Sequence, residues 1–277
     1  MDSSSQLLGF DIPVAVLSGV AALWAGALVM NDKRYARRHI LTMLSGLAFL
    51  VATILELVAD GQIGYYTESF YQMNSVSVFF AMIARYLLWC ILFEVARTTC
   101  DNTICNIPKL AYGWGAIMSV FMLLYVILTT VTSTFASVVF YYIGTYGIVV
   151  MNILQWVLSA RPGYSLGINP FRASFRVFAL ILSLVSLGMV LGNVSIYVYS
   201  SSGYIALGIL QYVLSSLLAS LALVMACVFS SKWVSFNDHD RLNQVNDDDE
   251  SRQPMGTYNP DDVYTSNKTA ADDVGHF

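Results

Sequence analysis

The chain has 277 residues, 57% of them hydrophobic and only 12% charged, with a mean hydropathy of +0.62. A soluble domain carries roughly 25% charged residues, so about half of the usual solvating charge is missing. That excludes a soluble enzyme, a nucleic-acid binder and a disulfide-stapled secreted scaffold, and it fits a polytopic membrane protein. Ten of the 18 acids lie beyond Phe236, so the net charge of −4 averages a slightly basic body with an acidic end.

Seven apolar segments, at about 12–30, 40–58, 75–96, 110–131, 136–158, 177–199 and 205–229, stand out along the chain. Each can cross a hydrocarbon core of ~30 Å, which takes ~20 residues of helix. Barrel strands are ~10 residues of alternating polarity, and these runs are longer and do not alternate. The expected fold is therefore all-α: a seven-transmembrane-helix bundle over 12–231. Residues 1–11 form a short extracytoplasmic N-terminus, and 232–277 form an acidic tail. Thirteen of the 14 Lys and Arg follow the odd-numbered spans, as in Lys33, Arg34, Arg37 and Arg38. Cytoplasmic loops carry the basic excess, which predicts an outside N-terminus and a cytoplasmic C-terminus. No basic n-region precedes the first span, so it reads as an uncleaved anchor.

In chain order, the outer 59–74 connection carries Tyr65, Tyr66, Phe70 and Tyr71, residues suited to a membrane–water interface. The fourteenth basic residue, Arg85, lies inside span three, ~15 Å from its outer end by helical rise. An ionisable group in lipid marks a functional site by default and needs a partner. Glu56 in the outer half of span two is the first choice, with Asp60 just beyond it the second. Glu94, at the inner end of span three, has Arg97 and Arg38 nearby. Spans five to seven add Asn152, Gln155, Asn193 and Gln211. Gly188 and Gly192 form a Gly-x-x-x-Gly, read as a helix-packing stripe, with self-association as its other use. Pro162, Gly163, Gly167 and Pro170 are turn residues between spans five and six. All six prolines fall outside the spans or at a first helical turn, which lowers a transporter of the broken-helix kind. The tail beyond about 234 is poor in apolar residues and is expected to be disordered.

The chemistry-bearing residues are sparse. Of three histidines, His39 lies at the inner mouth of span two, while His239 and His276 are in the tail. No span offers a histidine ligand pair, so no haem, metal or other cofactor is expected, and no catalytic residue is assigned. Cys90, Cys100, Cys105 and Cys227 read as idle thiols, with juxtamembrane palmitoylation the option for the last three. The chain is not expected to be an enzyme.

Ala84-Arg85-Tyr86-Leu87-Leu88-Trp89 resembles the Ala-Arg-Tyr-x-x-Trp of the third helix of microbial rhodopsins. The layout is similar too: seven helices, a longer outer loop before the third helix, and a cytoplasmic tail. In span seven, Gln211 falls at the family's Asp and Ser215 at its retinal lysine. Every lysine of this chain lies outside the spans, and Leu88 stands where a pump has its counterion. The resemblance thus implies a retinal-free relative of the fungal opsin-related type, a membrane stress or chaperone-like factor without a chromophore.

These readings converge on a non-enzymatic seven-helix regulator or sensor acting through its cytoplasmic loops and tail. The alternatives are a small-solute or ion path near Arg85 and a divergent G-protein-coupled-type receptor. The expected partners are the lipid bilayer, cytoplasmic proteins bound by the tail, and a second copy of the chain, with no nucleic acid. Spans of about 19 to 25 residues suit a plasma membrane.

Overall fold

The computed structural model describes residues 3–62, 68–99, 106–131, 134–159, 171–195, 201–229 and 231–233. Seven helices in it are long and apolar enough to span a membrane, and no strand occurs among the described residues. They are α1 (Ser3–Asn31), α2 (Ala36–Gln62), α3 (Glu68–Thr99), α4 (Asn106–Val131), α5 (Thr134–Ser159) and α6 (Arg172–Ser195). The seventh, α7, runs Ser201–Tyr212, passes through a π-helical turn at Val213–Leu217 and continues as Leu218–Phe229. The chain divides between Ser235 and Phe236, and every described residue belongs to the first unit. The tail expectation falls on 234–277, outside the described residues.

Each helix packs on the next in sequence, and α7 closes back on α1. Helix α3 is the central element, because it touches α2, α4, α5, α6 and α7. Its sequence explains that position: Leu88 to Val95 is apolar on every face except at Glu94, and a helix apolar all round belongs inside a bundle. Every residue from Leu88 to Ala96 is buried. Helices α1, α4 and α5 instead turn apolar side chains outward. Leu23, Met30, Leu110 and Val131 are 79, 76, 58 and 64% exposed, a surface suited to hydrocarbon rather than water.

Two boundaries differ from the sequence reading. The expected 59–74 loop is mostly helical, since α2 continues to Gln62 and α3 begins at Glu68. Glu68 sits in the first turn, where a carboxylate favours the helix dipole, and it accepts a hydrogen bond from Gln72 Nε2 at 3.3 Å. Tyr65 and Tyr66 lie outside the described residues. At the N-terminus, α1 starts at Ser3, so Pro13 is inside the helix rather than at its first turn.

Small residues bring the helices close. A Cβ placed on Gly46 would lie 2.9 Å from the Ser18 carbonyl oxygen of α1, so only glycine fits there. Gly188 and Gly192 both face α7: a Cβ on Gly188 would stand 2.7 Å from Leu214 Cβ and 2.9 Å from Ser215 N. A Cβ on Gly192 would collide with the Gln211 amide. The stripe therefore packs α6 against α7 at the π turn. At the other end, Trp233 is fully buried against Phe175, Phe178 and Phe229, and its Nε1 donates to Ser174 Oγ at 2.8 Å. The bundle thus extends past the last span to an aromatic anchor. Cys227 is buried, with its thiol donating to Ala21 O at 3.3 Å, which removes it as a lipidation site.

Candidate functional site

The site is built around Arg85, which is 6% exposed and projects from α3 toward α7. A π turn bonds i to i−5, so backbone carbonyls there are available to partners outside the helix. Arg85 Nε donates to Ser215 O in that turn at 3.1 Å, and Nη2 donates to Ser216 Oγ at 3.3 Å. Among the described residues Nη1 meets only the Met82 thioether, at 3.8 Å, and the guanidinium carbon lies 5.5 Å from the Phe49 ring centre. No direct ion pair joins Arg85 to Glu56 or Asp60 among the described residues. The expected contact pair is thus replaced by a cation held on backbone and hydroxyl oxygens. The physical reason is that the π turn brings α7 oxygens to the guanidinium, while Glu56 stands away across a gap.

That gap is a cavity of about 120 Å³. Val14 lines it from α1; Phe49, Ala52, Thr53 and Glu56 from α2; Ser77, Val78, Ala81 and Arg85 from α3. Tyr141, Met189, Gln211, Tyr212, Ser215 and Ser216 complete it from α5, α6 and α7. The lining residues lie in the half of the bundle that carries the N-terminus or at its middle, where Arg85, the last of them along α3, and Ser216 stand. Beyond Arg85 comes the packed segment Leu88–Ala96.

Glu56 lies within electrostatic reach of Asp11, Asp60 and Arg85. Sequence reasoning missed Asp11, which is 1% exposed and accepts a hydrogen bond from the Tyr212 hydroxyl across α1 and α7. Asp60 is half-buried and does not line the cavity. Gln211 does line it.

The remaining candidates serve other contacts. Glu94, 3% exposed in that segment, accepts from Tyr112 OH at 2.9 Å, while Arg38 stacks on Tyr35 at 5.1 Å. Arg97's side chain lies outside the described residues. Asn152 Oδ1 accepts from Ser183 Oγ at 3.0 Å, and Gln155 Nε2 donates to Ala179 O at 2.8 Å, so both tie α5 to α6. The side-chain amide of the buried Asn193 has no hydrogen-bond partner among the described residues. The motif residues beside Arg85 also have separate tasks. Tyr86 OH donates to Gly144 O at 2.5 Å, and Trp89 is fully buried in the packed segment.

No group of three or more His, Cys, Asp or Glu able to hold a metal ion occurs among the described residues. No protein-family model, curated protein or solved structure matches the chain.

Proposed function

We propose that the chain is a non-enzymatic membrane sensor or regulator of opsin-like layout without a chromophore. The end of the bundle that carries the N-terminus faces outside and holds the input cavity. The basic loops and the acidic tail face the cytoplasm and carry the output to protein partners, at the plasma membrane. The observation that carries this reading is the small cavity lined by Arg85, beyond which nine residues of α3, Leu88–Ala96, are all buried. A path for ions or solutes needs access from both sides, and that packed segment weighs against one. A receptor for drug-sized ligands fits less well, since such pockets run to ~300–1,000 Å³ and this cavity has about 120 Å³.

Flux through proteoliposomes tests the proposal. Vesicles holding the full-length chain should leak protons, sodium and chloride no faster than empty vesicles. In cells, truncation after residue 235 should leave the membrane-inserted bundle intact while removing neighbours detected by proximity labelling. A flux abolished by Arg85→Lys would replace the sensor with a conduit.

A further inference from the structure

We propose that the Arg85–Glu56 cavity binds a small zwitterionic solute, with the solute carboxylate on Arg85 and its ammonium on Glu56. This deepens the sensor reading and rests on it for its cellular meaning. A guanidinium has five N–H donors and keeps its charge. Arg85 uses three of them, on Ser215 O, Ser216 Oγ and the Met82 sulfur, so two remain without a protein partner among the described residues. The group is 6% exposed and lines the cavity, so those donors have the cavity to serve. On another wall, Glu56 has no hydrogen-bond partner and no ion pair among the described residues. Two opposite charges therefore share one small space without touching.

Charge selects the occupant. A simple cation satisfies Glu56 but is repelled by Arg85. A simple anion satisfies Arg85 but meets Glu56, with Asp11 and Asp60 in electrostatic reach of that carboxylate. An apolar molecule would leave the buried Arg85 and the half-buried Glu56 both unmet, which is unfavourable. A molecule with both signs satisfies both walls at once, with charge-assisted hydrogen bonds at each end. Size agrees: a cavity of ~150 Å³ holds a benzene-sized molecule, so about 120 Å³ admits a solute the size of glycine or alanine. Gln211 and Thr53, both on the lining, supply further polar contacts.

The test uses the purified full-length chain in lipid nanodiscs, titrated calorimetrically and melted with glycine, alanine, ethylamine or acetate at equal ionic strength. Glycine or alanine should bind at one site and, at roughly a hundred times Kd, raise the melting temperature by several degrees. Ethylamine and acetate should do neither. Glu56→Gln, which keeps the shape of the side chain, should weaken glycine and alanine about tenfold or more, as expected for loss of one charge contact worth ~1.4 kcal/mol. No binding by either amino acid means the cavity holds water alone and overturns the proposal, as does equal binding to the Glu56→Gln variant. Failure of the sensor reading looks different: binding would persist, and the solute would also cross proteoliposomes.

Discussion

Arg85→Met should lower the stability of the bundle sharply, by roughly 2–4 kcal/mol, while Glu56→Gln should cost about 1 kcal/mol or less. The asymmetry follows from the geometry. Removing the guanidinium strips the Ser215 carbonyl and the Ser216 hydroxyl of a charged donor, and it leaves Glu56 without its counter-charge. Removing the carboxylate charge leaves the two α3–α7 hydrogen bonds in place. A contact ion pair behaves otherwise: each single change costs ~3–5 kcal/mol, and the double recovers much of it. Thermal melts of both single variants and the double, in the same nanodisc, separate the two cases. The double should resemble Arg85→Met. Equal losses for the singles, with recovery in the double, would mean that the two side chains meet directly.

Gly188→Ala should cost ~1–3 kcal/mol, the usual range for overpacking a tight interface. The added carbon would sit 2.7 Å from Leu214 Cβ and 2.9 Å from the Ser215 backbone nitrogen. Backbone cannot rotate away as a side-chain tip can, so α6 and α7 must part. Parting them moves the π turn and with it the oxygen that holds Arg85, so cavity binding should fall together with stability. Gly113 and Gly208 supply the controls, because a Cβ at either meets nothing within 4 Å. Alanine there should be neutral or slightly stabilising, since it lowers the entropy of the unfolded chain. A loss at Gly113 as large as at Gly188 would refute the packing account.

Much of this arrangement was readable from residue type. Long apolar runs defined seven spans, because hydrocarbon thickness sets their length, and Lys and Arg marked every second connection. The four-residue spacing of Gly188 and Gly192 pointed to close helix packing, which α6 and α7 provide. Arg85 stood out as the sole cation within the spans. Its partners were not readable, because the closest is the carbonyl of Ser215, an atom that every residue carries. The π turn left no mark either: Val213–Leu217 reads as ordinary helix, and Ser215 and Ser216 as small packing residues. Asp11 was hidden for another reason. It precedes the first apolar run and stands two residues before Pro13, a residue that ordinarily marks a helix start. Only the folded chain brings it against Tyr212, 201 positions away.

With Leu88–Ala96 packed beyond Arg85, the cavity is expected to be reached from one side of the bundle alone. Thiol accessibility measures this directly, in a chain whose Cys100 and Cys105 are replaced by serine and whose Cys90 and Cys227 are buried. A membrane-impermeant methanethiosulfonate reagent is applied from each side to Gln211→Cys, on the cavity wall, and to Leu92→Cys, in the packed segment. Gln211→Cys should react only from the side that carries the N-terminus, and Leu92→Cys from neither. Labelling of Leu92→Cys from either side, or of Gln211→Cys from the side of the basic loops, would contradict one-sided access.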